Sequence, residues 1–160
     1  MKSKLLQRGR GRTFALVFET GDDAMKGLVE FARAEALAGS QFTAIGAFSD
    51  VTLGYFDWER RDYRRFELTE QVEVLSLVGD VTRQRDEPRV HAHVVLGRAD
   101  GAAHGGHLFS GRVRPTLEVV LTETPVHLRR RFDPASGLAL IDLEADLDAP
   151  APAARRSRRG

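Results

Sequence analysis

The sequence predicts an α+β domain in which one main α-helix packs on a mixed, mostly antiparallel β-sheet. Two observations carry this. One stretch alone has helical periodicity, and after it the chain breaks into short β-rich runs separated by turn residues. With 160 residues there is material for a single domain of ordinary size.

Residues 13–20 (TFALVFET) form a β-rich apolar run that ends at Gly21-Asp22-Asp23, where a small acidic pair is placed to cap a helix. Met25, Leu28, Val29, Ala32 and Ala36 then recur at spacings of three and four, giving one apolar face, and Gly39 supplies the stop. Strands are expected over 42–48, 51–56, 63–68, 72–81, 90–97, 107–113 and 117–122, with turns at Asp57-Trp58-Glu59, Asp86-Glu87-Pro88 and Asp100-Gly101. Residues 127–132 read as a further strand, and 133–137 turn the chain. In 138–147, Ile141, Leu143, Ala145 and Leu147 alternate with acids, which predicts a half-buried strand. The expected organisation is a basic flexible leader over 1–12, one domain over 13–148 and a disordered basic tail over 149–160. One helix covers only part of a sheet, and the runs 42–48 and 72–78 look buried on both sides, so self-association is expected.

The formal charge of +1 is a cancellation. Residues 1–12 hold Lys2, Lys4, Arg8, Arg10 and Arg12 and residues 151–160 hold Arg155, Arg156, Arg158 and Arg159, and neither segment contains an acid. Removing those nine from the 24 basic residues leaves 15 against 23 acids, a net of −8 over residues 13–150. Basic ends reach for polyanions, and an acidic body does not. No apolar run approaches the ~20 residues of a membrane helix, and no apolar stretch follows the first basic residues as in a secretory signal. With no cysteine, thiolate metal sites and disulfides are excluded. A cytoplasmic address is expected, with no membrane partner.

Four of the five histidines lie between His91 and His107, in HAHVVLGRADGAAHGGHL. His91 and His93, two apart on a strand, project from one face, and the Asp100-Gly101 turn can return His107 to the neighbouring strand opposite them. Three imidazoles make a site for zinc, or another divalent metal, with one position left open. The plainer alternative is a set of hydrogen-bonded surface histidines. His104 is expected in solvent. Gly105-Gly106 marks either a bulge or a close approach of backbone and ligand. Glu118, with Arg114 nearby on the following strand, is a candidate general base or partner to an imidazole; the plainer reading is an exposed glutamate. There is no glycine-flanked serine elbow, phosphate loop or dinucleotide fingerprint. Arg8-Gly9-Arg10-Gly11-Arg12 partly matches an AT-hook, whose Arg-Gly-Arg core lies in the minor groove of A·T-rich DNA but is followed by proline.

Several motifs occur in order: Gly21-Asp22-Asp23 before the helix, Ala44-Ile45-Gly46-Ala47, residues 51–57 (VTLGYFD) and 73–79 (EVLSLVG), His91-Ala92-His93, Gly105-Gly106-His107-Leu108 and Thr116-Leu117-Glu118-Val119. Together they resemble the PPC domain, the plants-and-prokaryotes conserved domain, over roughly residues 12–145. That resemblance implies a homotrimer and a DNA-associated role, since plant relatives join this domain to AT-hooks. It also implies a metal site, as prokaryotic relatives share the His-x-His and Gly-Gly-His pattern, here His91, His93 and His107. The leading expectation is a trimeric DNA-binding or regulatory protein contacting A·T-rich DNA through Arg8, Arg10, Arg12, Arg155 and Arg156. The alternative is a metal-dependent enzyme acting on a small molecule, with zinc on the three histidines and Glu118 as proton carrier.

Overall fold

The computed structural model describes residues 1–85 and 87–145. Nine strands and one helix follow in the order β1 (Lys2–Gln7), β2 (Thr13–Glu19), α1 (Ala24–Ala34), β3 (Ser40–Asp57), β4 (Asp62–Leu68), β5 (Val72–Gln84), β6 (Glu87–Gly97), β7 (Ala103–Glu123), β8 (Arg129–Asp133) and β9 (Leu138–Asp142). The main path of the sheet is β1-β2-β7-β3-β5-β8-β9, with β4 beside β3 and β6 joined to both β5 and β7. All pairings are antiparallel except the single β5–β8 contact at Arg83 and Arg129. The α+β reading with a mixed, mostly antiparallel sheet therefore holds.

Strands β3, β5, β6 and β7 pair in a closed circuit, and their inward side chains, including Phe42, Phe48, Leu53, Leu77, Leu96 and Leu108, are almost wholly buried. Each such side chain contributes roughly 1.5–3 kcal/mol of apolar burial. Helix α1 lies against β6 and β7, placing Leu28 and Phe31 in this core, where Phe31 meets the ring of Phe14 edge-on at 5.1 Å. Asp23 caps its first turn, the side chain accepting from the Lys26 N–H at 2.9 Å.

The helix stops earlier than the spacing suggests. Ala36, not Gly39, takes the left-handed conformation (φ 54°), while the Ala36 N–H donates to Arg33 and the Leu37 N–H to Ala32. Two pairs of expected strands are also continuous. Residues 42–48 and 51–56 both belong to β3, where register shifts around Gly46, Phe48 and Thr52 break the alternation that would mark a single strand. Residues 107–113 and 117–122 both belong to β7.

The N-terminal expectation is corrected. Residues 2–7 are not a flexible leader but the strand β1, which covers the edge of β2 by backbone pairing. Arg8 and Arg10 lie exposed in the connection between the two strands. Arg12 is engaged: its Nε and Nη2 donate to Glu123 at 2.6 and 3.0 Å, and its Nη1 donates to Glu35 at 2.8 Å. The last strand is corrected as well. It ends at Asp142, and Ile141 and Leu143 are 40% and 77% exposed; β9 is the edge strand of the sheet, paired with β8 and with no other described strand. Leu147, Arg155, Arg156 and the rest of the expected tail lie outside the described residues, as does Asp86. No helix among the described residues is long and apolar enough to cross a membrane.

Candidate metal centre

Strand β6 runs back along β5 from the pair Gln84 and Glu87, setting His91 opposite Asp80 and His93 opposite Val78. The turn after Gly97 then folds β7 onto the other edge of β6, and its register sets His107 directly opposite His93. The period-two rule puts His91 and His93 on one face, and the three rings meet with centroids 5.1, 5.1 and 5.6 Å apart. One nitrogen from each lies within 4.8 Å of the others. Nitrogens on a tetrahedral zinc at about 2.0–2.1 Å stand roughly 3.3 Å apart, a closure within reach of side-chain rotation.

The surroundings favour the unprotonated rings that a metal requires. Burial, and then the neighbouring charge of His91, lowers the pKa of His93. Burial lowers that of His107 from 6.5 to about 4, with His91, His93, Arg89 and Arg65 adding to the effect. The Nδ1 of His107 is buried and has no hydrogen-bond partner among the described residues. A buried nitrogen without a partner is costly, and a cation would satisfy it. Donor chemistry and the orphaned nitrogen both fit a zinc-like ion.

Asp80 faces the Nδ1 of His91 at 3.8 Å. Its own burial would raise its pKa, but His91 and Arg130 hold it below the ordinary carboxylate range. Arg130, on β8, donates to both Asp80 oxygens at 2.9 and 3.0 Å, to the Thr82 hydroxyl and to the carbonyl of Ala139. One buried guanidinium thus fixes Asp80 beside His91 and ties the outer hairpin to the sheet. Tyr63 and Phe109 pack together on one flank of His107, each with its ring centroid 4.8 Å from the imidazole and 5.2 Å from the other ring. Gly54 makes that packing possible, since a Cβ there would stand 2.4 Å from Phe109.

The other candidates fall elsewhere. Glu118 is not brought to the histidines. It lies eleven residues beyond His107 on β7, roughly 36 Å along an ideal strand, and pairs with Val17 and Ile45 beside an outer groove of about 450 Å³. Its assignment as proton carrier is corrected for the subunit: a strand this long carries residue 118 to the far end of the sheet. Arg114 is exposed on the same strand. His104 pairs opposite Leu96, outside the cluster, in a strand rather than a loose segment. At Gly106 a Cβ would meet the Gly54 carbonyl at 2.7 Å, so this glycine serves the approach of β3 and β7 backbones. Asp80 was not within reach of the sequence: a turn at 86–88 would set His91 against Arg83, whereas the strands reverse between Gln84 and Glu87 and so bring Asp80 opposite His91. Arg130 and Phe109 carried no signal either.

The Plants and Prokaryotes Conserved (PCC) domain matches residues 6–125. A metal-containing protein of Archaeoglobus fulgidus shares 33% identity, with 88% of this chain and 96% of that one covered and a TM-score of 0.77. A candidate DNA-binding protein of Ralstonia eutropha JMP134 shares 27% identity, with 81% and 90% covered and a TM-score of 0.76. The bifunctional protein GlmU of Synechococcus strain JA-3-3Ab is 32% identical over 155 residues, which are 95% of this chain. The chain spans only 24% of that relative's length.

Proposed function

The chain belongs to the Plants and Prokaryotes Conserved domain family, and from that premise we propose that it is a metal-dependent protein acting on a small molecule, with zinc held by His91, His93 and His107. The observation that carries this reading is the convergence of three imidazoles within 4.8 Å, with one buried nitrogen unpartnered. A three-nitrogen donor set suits zinc and leaves a position for water or ligand. The metal-containing archaeal relative supports the same reading. When bound, such an ion supplies Lewis acidity toward an oxygen of the ligand. The protein's share is positional: Asp80 and Arg130 hold His91, while Tyr63 and Phe109 pack against one flank of His107 and limit its rotation. Metal analysis of protein purified without chelators should give one zinc per chain, and His93→Ala should lose it. Absence of stoichiometric metal, or no change in the variant, overturns the proposal.

The proposal includes a homotrimer. Val17, Ile45, Leu75 and Val120 are 39–62% exposed around one outer groove, an apolar surface suited to a second copy of this chain. Sedimentation should give three times 17.7 kDa. Ile45→Asp, which places a charge in that groove, should give the single-chain mass; a parent protein that sediments as a monomer removes the trimer.

A second reading is DNA association. Arg8 and Arg10 are exposed between β1 and β2, and the Ralstonia relative is a candidate DNA-binding protein. Arg12 is committed to Glu123 and Glu35 and is not available in the same way. Replacing Arg8 and Arg10 by glutamine should weaken binding of the full chain to an A·T-rich duplex and reduce the log–log slope of its salt dependence by roughly 0.9 per lost phosphate contact. Unchanged affinity at low salt counts against this reading.

A further inference from the structure

A cavity of about 310 Å³ opens beside the histidine cluster, and its wall includes Arg65, Arg89 and Arg130 but no carboxylate. Arg130 is neutralised by Asp80. Arg65 and Arg89 make no ion pair among the described residues, although residues 13–150 carry a net charge of −8. We propose that these two arginines bind the oxyanion group, carboxylate or phosphate, of a small molecule whose other end reaches the histidine centre. The inference rests on the reading of that centre as a ligand-binding metal site and names the class of its ligand.

The register of three strands places both cations. Arg89, His91 and His93 follow at intervals of two on β6, so they share a face. Gly54 pairs with Arg65 on one side and with His107 on the other, so Arg65, Gly54 and His107 form one row across β4, β3 and β7. Because the middle member has no side chain, the guanidinium of Arg65 can lie across it and rest over the ring of Phe109 at 3.9 Å. Arg65 is therefore held in place before any ligand arrives, which reduces the entropy lost on binding. On the Arg89 side, Glu87 occupies the same face of β6, but its carboxylate is taken by Arg33 at 3.2 Å. Two guanidinium forks suit the paired oxygens of a carboxylate or phosphate. A cationic concavity in an acidic body concentrates small anions. The volume of about 310 Å³ limits the ligand to a small metabolite, and Leu138 and Leu140 on the β8–β9 side offer an apolar wall for its carbon skeleton.

The test is calorimetric titration of the full chain at low ionic strength with malonate, on metal-free and zinc-loaded protein, and with inorganic phosphate on the metal-free form. Saturable binding of one anion per chain is expected. Arg65→Gln and Arg89→Gln should each weaken it by about tenfold or more, the double variant should abolish it, and Lys4→Gln on β1 should leave it unchanged. Preference for malonate identifies a carboxylate ligand and preference for phosphate a phosphate ester. Arg65→Lys and Arg89→Lys, which keep charge but lose the fork, should weaken binding by less and serve where the glutamine variants fold poorly. Zinc content is measured on every protein. Lost zinc with intact anion binding defeats the metal reading alone, whereas intact zinc with no anion binding defeats the subsite alone. No saturable binding in either form, or binding indifferent to the double substitution, overturns the proposal.

Discussion

Metal-free protein should lose stability as the pH falls from neutrality toward 4, and His107 should account for a measurable part of that loss. Burial, and then the charges of His91 and His93, lowers its pKa from 6.5 to about 4. Between those two values the unfolded chain carries the proton and the folded chain does not, so stability rises with pH across that window. The contribution is intact above about 6.5 and is lost as the pH falls through about 4. The full displacement corresponds to about 3 kcal/mol. His107 is only half-buried, and water on its open side reduces this to on the order of 1–2 kcal/mol. The assay is urea unfolding of the parent and of His107→Gln at about pH 7.5 and about pH 4.5, at one protein concentration because association adds to apparent stability. The parent should lose about 1–2 kcal/mol more than the variant on acidification, a midpoint difference of roughly 0.5 M at ordinary urea slopes. Equal acid sensitivity in the two proteins would refute the argument that burial keeps this imidazole neutral.

Gly54→Ala should lower the unfolding temperature by an amount equivalent to about 1–3 kcal/mol, since a new Cβ would meet Phe109 at 2.4 Å and Tyr63 at 3.0 Å. The same variant should bind zinc more weakly, because both rings hold His107, and zinc titration checks this separately from thermal unfolding. Ala36→Gly should have the opposite sign and stabilise by about 0.5–1 kcal/mol. Position 36 has φ 54° and is exposed, so the substitution relieves left-handed strain without removing a buried contact.

What the sequence revealed followed from periodicity, and what it hid followed from its interruption. The apolar spacing and Asp23 located the start of α1, but its end depends on Ala36 in a conformation that an alanine does not advertise. The runs on either side of Ser49 were both read as strands. Their fusion into β3 was hidden because bulges put Ala47 and Phe48 in succession into the core, which breaks the alternation. Strand β1 (KSKLLQ) has no buried face at all, and its order comes from backbone pairing, which leaves no trace in side-chain pattern. The histidine cluster was legible because its geometry is local: an interval of two on one strand and one hairpin return. Arg65 was not, since its place depends on two successive registers through Gly54. Such information is distributed over strands far apart in the chain, and spacing along one of them cannot express it.

The charge pattern also changes meaning once the chain is folded. Read along the sequence, the excess of cations at the ends points to a polyanion. In the fold, Lys2 meets Glu19 at 2.5 Å and Arg12 meets Glu123 and Glu35, so part of the N-terminal excess is balanced by acids of the body. Arg65 and Arg89 remain without such partners among the described residues, and they stand beside the histidines rather than at the ends. A long polyanion approaching them would have to lie along a body whose net charge is −8, and the repulsion would grow with the length of contact. A small anion meets little of that surface before it enters the cavity. The same distribution of charge therefore favours a compact oxyanion at the histidine cluster over a polyanion lying along the body, and it leaves Arg8 and Arg10 as the exposed arginines of the N-terminal segment.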